Sequence, residues 1–234
     1  MREFIVEDSF WELFPQAKIG VVIAENIRNA YDNEQVYSHM LTDARSEAVK
    51  YLGSDTLSEN KAIKVWREAF RKFKTKKGAR SSIEALLRRV GKGNDVGNIN
   101  PLVDIYNSCS LIYALPNGGE DIDKFEGDVR LTFAEGNEAF VTLGSEKSEP
   151  PFAGELVYKD EAGAICRCWN WREAVRTMLT EDTKNAFLCI ESVDPDRDDD
   201  FDLALEYLKD NITRKLGGEC KVFVLDIENR SIEF

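Results

Sequence analysis

The feature that most constrains this chain is a change of hydrophobic period near its middle. Before it, apolar residues recur three and four apart, as in Ala62, Ile63, Trp66, Ala69, Phe70 and Phe73, then Ile83, Leu86, Leu87 and Val90, then Leu102, Ile105, Cys109 and Ile112. That spacing puts them on one face of a helix. After Pro116-Asn117-Gly118-Gly119 the period becomes two: Val129, Leu131 and Phe133 alternate with polar neighbours, as do Phe140 and Thr142, and Leu156 and Tyr158. Two compact apolar runs, Ala164 to Trp169 and Ala186 to Ile190, also read as strands, as do Phe4 to Val6 and Ile19 to Ala24 near the start. Phe201 to Leu216 forms an amphipathic helix and Cys220 to Leu225 a last strand. Helices early, strands late and a closing helix-strand pair predict an α+β fold with a mostly antiparallel sheet.

Local signals set the expected helix boundaries. The first helix is expected over Thr42 to Leu52. Ser58 suits the N-cap of the second and Ser81 or Ser82 that of the third, with Gly91 near its end. A glycine-rich loop over 91–97 leads to Asn100-Pro101, where proline fits the first helical turn. At 234 residues the chain can bury the core of a single domain, 1–234, with strands and a helical region over 1–92 and the main core over 93–234. No internal repeat or low-complexity tract interrupts it.

Charge is distributed unevenly. Twelve lysines and arginines between Lys61 and Lys92 face only Glu68 and Glu84, a local charge of +10 in a chain of net charge -12, which leaves -22 elsewhere. Such asymmetry fits a small contact with a polyanion, or a solvated helix surface. The acidic remainder would repel a wrapped duplex, so DNA is not an expected partner. No apolar run approaches the ~20 residues of a bilayer span, and the first residues lack a signal-peptide pattern. Five scattered cysteines suit reduced thiols, so the expected location is cytoplasmic. A single histidine, His39, and a lone Cys166-x-Cys168 pair argue against zinc and against Ser-His-Asp or Cys-His devices. No phosphate loop or dinucleotide fingerprint is present. No cofactor is expected.

The segment Ile99-Asn100-Pro101-Leu102-Val103-Asp104-Ile105-Tyr106-Asn107 resembles the Asn-Pro-led helix in the third and fourth B domains of the phenylalanyl-tRNA synthetase beta subunit. In order downstream, Gly127 to Leu131 resembles the strand after that helix, Ala134 to Glu138 the next turn, and Thr183 to Leu188 a later strand. The ordered match covers roughly residues 80–210. Arg167-Cys168-Trp169-Asn170-Trp171-Arg172 resembles a segment of free-standing proteins of this type. The resemblance implies a layered β/β/α fold, a pocket between the sheet and the Asn-Pro-led helix, and a tRNA partner. It also implies hydrolysis of a wrongly attached amino acid, which in the synthetase is tyrosine. Two family residues are not carried over: a histidine aligns with Gly118, and the glutamate that reads the tyrosine hydroxyl aligns with Cys189.

Candidate site residues follow from both readings. Glu191 shares a strand face with Cys189 and brings a carboxylate to the pocket, or sits at a solvated strand end. Asp104 and Asn107 lie on one helix face and orient ligand or water, or satisfy backbone. Alternation places Arg167, Trp169 and Trp171 on one strand face and Asn170 and Arg172 on the other. The indoles either stack on a terminal base or pack under a helix. Glu191, Asp104 and Asn170 are the expected catalytic residues. Asn100, Asn107, Arg167, Arg172 and Cys189 are expected to bind substrate, and Lys72, Lys74, Lys76, Lys77, Arg80, Trp169 and Trp171 to bind RNA. The chain carries no aminoacylation motif and is not expected to be a complete synthetase. The leading expectation is an editing-like protein that hydrolyses mischarged aminoacyl-tRNA in trans. The alternative is a non-catalytic RNA or amino-acid binding module of the same descent.

Overall fold

A computed structural model describes residues 2–53 and 56–234. In chain order the elements are β1 (Glu3–Val6), α1 (Asp8–Leu13), β2 (Lys18–Glu25), α2 (Glu34–Ala48), α3 (Lys61–Ala69), α4 (Ser82–Gly91), α5 (Pro101–Tyr113), β3 (Asn117–Asp121), β4 (Val129–Phe133), β5 (Leu156–Asp160), β6 (Gly163–Arg167), β7 (Arg172–Glu173), β8 (Ala186–Ser192), α6 (Asp198–Leu216), β9 (Glu219–Leu225) and β10 (Ser231–Glu233). Six strands form one sheet in the order β10-β1-β4-β5-β6-β7, and four form a second in the order β3-β8-β2-β9. Pairing is antiparallel throughout except between β1 and β4. The expected α+β fold with mostly antiparallel sheets is what forms.

The layers follow from which faces of β2 and β8 are apolar. Both strands are buried on both sides, as their near-continuous apolar sequences require. One face, with Ile19, Val21, Ile23, Phe187 and Cys189, packs toward Phe4, Val129, Leu131, Tyr158 and Ile165 of the six-stranded sheet. The other, with Val22, Ala24, Leu188 and Ile190, packs on Leu102, Ile105 and Cys109 of α5 and Phe201, Leu205 and Leu208 of α6. The order is therefore sheet, sheet, helices. Gly20 permits close approach of α6, since a Cβ there would meet Leu205 Cδ2 at 2.7 Å. Among the described residues no helix is long and apolar enough to cross a membrane.

Several helix boundaries differ from expectation for local reasons. α2 begins at Glu34, where Asn33 accepts a hydrogen bond from the Gln35 backbone N–H, and Tyr37, Leu41, Ala44 and Ala48 make one longer stripe. Asn60, not Ser58, caps α3, accepting from Ala62 N–H, while Ser58 lies in a preceding 3-10 turn. Ser81 caps α4, and Asn100 with Pro101 starts α5 as expected.

The strands differ more. Asn117-Gly118-Gly119, which reads as a turn, is the edge strand β3 paired with β8. Phe140 and Thr142 are not in a strand. Instead the segment wraps Glu138: burial would raise its carboxyl, but backbone N–H bonds from Glu135, Gly136 and Asn137 and a bond from Lys159 Nζ hold it down to about 2. The regular alternation expected through Trp171 stops at Arg167, because Cys168 and Trp169 adopt left-handed conformations with φ of 46° and 66°.

Candidate functional site

A cavity of about 220 Å³ opens between the two sheets. Phe125, Val129, Tyr158 and Cys166 line it from one side, and Asn117, Gly118, Glu120, Phe187, Cys189 and Glu191 from the other. Tyr106 and Asn107 of α5, the Trp169–Trp171 turn, and Arg172 and Glu173 of β7 complete it. The expected pocket between sheet and Asn-Pro-led helix is thus an inter-sheet cavity that α5 only borders. Gly118 matters to its size. A Cβ there would meet Glu173 Oε1 at 3.6 Å and Cys189 Sγ at 3.7 Å, so a side chain would project into the space.

Glu191 lies on β8, 1% exposed. Its Oε1 accepts from the Tyr158 hydroxyl at 2.6 Å, and its Oε2 from Asn170 Nδ2 at 2.6 Å. Burial pushes its carboxyl up to about 7, and these two donors oppose that shift only in part. The Trp169 indole also favours the carboxylate form, yet it lies outside hydrogen-bond geometry and its buried Nε1 has no partner. Glu173, partly buried at the cavity mouth, is likewise pushed up to about 7 by desolvation, with the nearby Gly119 backbone N–H opposing that shift. Glu120, on β3, is raised well above the carboxylate range by burial and then by Glu173, and its Oε2 is buried without a partner. The thiols of Cys166 and Cys189 are pushed up by burial, Cys189 next by Glu191 and Cys166 next by Glu173. They are therefore protonated and poor nucleophiles.

The arrangement has a definite chemical character. Three carboxyl groups converge on a space whose other walls are aromatic and amide side chains. Among the lining residues only Arg172 is cationic, and its guanidinium stacks on the Trp171 ring at 4.9 Å. Carboxyl groups near neutral pKa in a desolvating cavity can ionise when a cationic ligand enters, because the ligand's charge offsets part of the desolvation cost.

Of the residues expected to share one site, Asn107, Asn170, Arg172, Cys189 and Glu191 come together here, with both Trp169 and Trp171 at the wall. Asn100, Asp104 and Arg167 do not, and the expectation of one common cavity is corrected for them. Asn100 caps α5 and exchanges hydrogen bonds with Asn29 and Leu179. Asp104 turns back to accept from Ile99 N–H, Asn98 Nδ2 and the Tyr31 hydroxyl, which ties the glycine-rich loop to the helix. Arg167, 2% exposed, pairs through Nε and Nη2 with fully buried Glu155 at 3.0 and 2.7 Å. The left-handed turn causes this split, sending Arg167 and Cys168 to the Glu155 side and Trp169 to Arg172 to the cavity side.

The basic segment needs correction too. Trp169 is fully buried against Phe10, Phe14 and Trp66, so it cannot stack on a base. Lys72 Nζ lies over the Phe14 ring and donates to Leu13 C=O, Lys74 lies over Phe152, and Lys76 pairs with Glu149 at 2.6 Å. Lys77 is exposed. Arg80 lines a separate pocket.

Glu120 and Glu173 are missing from the residues expected for the site. Glu173 directly follows the Trp-rich segment, and Glu120 falls two residues after Gly118 on the same strand face. Each is an acid beside a segment already singled out, and that adjacency was the available signal.

A β/β/α layering with a polar cavity between its sheets is the class of module that this fold and cavity define. The chain belongs to the B3/4 domain family, whose model matches residues 65–204. Among solved structures it is similar to an N-terminal fragment of the phenylalanyl-tRNA synthetase beta subunit from Pyrococcus horikoshii, at 14% identity and a TM-score of 0.49. That similarity covers 93% of this chain and 49% of the fragment, so the chain spans about half the fragment's length. No curated protein matches the chain.

Proposed function

We propose that this chain is an editing-like module that binds the aminoacyl end of a tRNA and hydrolyses the ester of a mischarged amino acid supplied in trans. The observation that carries the reading is the convergence of Glu120, Glu173 and Glu191 on one inter-sheet cavity. An aminoacyl ester brings an ammonium group beside its carbonyl, and ionised carboxylates are its natural partners. Membership of the B3/4 family and the resemblance to the synthetase segment around Asn100-Pro101 supply the class of ligand.

No protein nucleophile is required. Cys166 and Cys189 are held as thiols, and an aminoacyl ester is already reactive toward water. In the proposed reaction, Glu173, with a pKa of about 7, accepts the proton of a water that attacks the ester carbonyl. The carbon–ribose oxygen bond then breaks, and the ribose oxygen leaves with that proton. Glu191, fixed by Tyr158 and Asn170, orients the ammonium. Asn107, also at the cavity wall, supplies the amide that polarises the carbonyl.

A second reading, binding without hydrolysis, is favoured by Gly118 and Cys189 standing where the family residues are histidine and glutamate. Calorimetry with amino-acid methyl esters and their N-acetyl counterparts tests the ligand class common to both readings. The free-amine esters should bind with proton release at pH 6, because Glu191 or Glu173 must ionise. Equal binding of the N-acetyl esters would contradict it.

A further inference from the structure

A second pocket, of about 320 Å³, lies behind the first, between α3 and α4. Arg67, Arg71, Arg80 and Arg88 line it, with Trp66 and Phe70 as its apolar wall. Buried Glu84 organises it from below: Arg67 Nε and Nη2 bind Glu84 Oε2 and Oε1 at 3.0 and 2.7 Å, and Arg88 Nη2 binds Oε1 at 2.8 Å. The bond to Arg67 is bidentate, which holds a guanidinium plane far better than a single contact. These pairs hold the Glu84 carboxyl below the usual range against the burial that raises it.

Four guanidiniums around one buried carboxylate exceed what that carboxylate needs. Glu59 adds a second negative charge facing Arg67, and Glu68 lines a different pocket on the other side of α3. The pocket thus keeps a net charge of about +2 by simple Coulomb counting. Arg71 and Arg80 make no ion pair among the described residues, and Arg88 Nε is buried without a partner. Planar forks of this kind match phosphate oxygens. The linings of the two pockets adjoin at Ser81–Ser82 and at the Trp66–Trp169 contact, whose rings are 5.0 Å apart.

We propose that the Arg67–Arg71–Arg80–Arg88 pocket is a phosphate subsite for the backbone of the RNA whose aminoacyl end enters the inter-sheet cavity. It rests on the reading above for the identity of the ligand, though the pocket itself is argued independently. The lysines at 72, 74 and 76 are secondary, since their side chains already lie on Phe14, Phe152 and Glu149.

The test is Arg71→Gln/Arg80→Gln in the full chain, which leaves both Glu84 pairs in place. Binding of a short single-stranded RNA is followed against salt concentration, with inorganic phosphate as competitor and Lys209→Gln/Arg214→Gln as a control of equal charge change on α6. The Arg71/Arg80 variant should bind RNA at least ~10-fold more weakly, with a salt slope shallower by ~0.7 for each phosphate no longer neutralised. Phosphate should displace RNA from the wild type, and the control should behave as wild type. Unchanged affinity and slope in the Arg71/Arg80 variant would overturn the proposal, as would equal weakening in the control. Wild type that binds phosphate but not RNA would overturn the assignment to an RNA backbone. Ester binding separates the two readings: if it persists while the arginine variant has no effect on RNA, only the arginine pocket fails. If ester binding is absent while RNA binding depends on Arg71 and Arg80, only the cavity reading fails.

Discussion

Asn170 Nδ2 donates to Glu191 Oε2 at 2.6 Å, joining the left-handed turn after β6 in one sheet to β8 in the other. The same Asn170 accepts from the Ser82 backbone N–H at 3.3 Å, so one amide links both sheets to the start of α4. Asn170→Ala should therefore destabilise the fold by about 1–3 kcal/mol, the cost of leaving buried polar groups unpaired. It should also raise the Glu191 pKa, since a donor to its carboxylate is removed. Urea unfolding and NMR titration of the Glu191 carboxyl carbon check the two effects.

Stability should depend on pH through the cavity acids. The folded pKa values of Glu191 and Glu173, about 7, lie above the ordinary 4.5. Between these values the folded chain binds more protons than the unfolded chain, so stability falls as pH rises and levels off above about 7. Each group contributes at most about 3 kcal/mol to that fall. Glu191→Gln should flatten the decline between pH 5 and 7. An equally steep decline in the variant, measured by denaturant unfolding, would exclude Glu191 as a source.

Gly118→Ala should close part of the cavity and leave the fold intact. Its Cβ would make ordinary contacts with Glu173 and Cys189, and Gly118 does not require a left-handed backbone. Ester binding should drop ~10-fold or more while the melting temperature stays within a few degrees. RNA affinity through the arginine pocket should persist.

Arg167→Met should be destabilising by about 3–5 kcal/mol, because it strands the fully buried Glu155 carboxylate. Arg167→Met/Glu155→Leu should recover most of that loss. Measured where both variants remain folded, ester and RNA binding should match wild type, since Arg167 does not line the inter-sheet cavity.

Legibility in the sequence followed the range of the interactions. Asn100 and Ser81 were readable as helix starts because a cap is a local contact three residues long. Period two exposed β4 and β5 because each has one face on the inter-sheet core. β3 was not readable: its glycines give no period, and they are there because a Cβ at Gly119 would come within 2.8 Å of Leu179. Nor was the turn at Cys168 and Trp169, since neither residue type favours positive φ and tertiary packing of the indole imposes it. That one turn moved Arg167 out of the cavity and brought Trp169, Asn170, Trp171 and Arg172 into it. Glu120 and Glu173 carry no spacing signal of their own, because their significance lies in convergence with Glu191 across elements far apart in the chain.

Whether the cavity acids act on an aminoacyl ester is tested most directly by deacylation of a panel of correctly charged and mischarged tRNAs by wild type and Glu191→Gln. The expected result is rapid hydrolysis of at least one mischarged species by the wild type, slowed ~10²-fold or more in the variant with RNA affinity retained. Equal rates for the two proteins would remove Glu191 from the mechanism, and no hydrolysis of any species by the wild type would contradict the editing-like function outright.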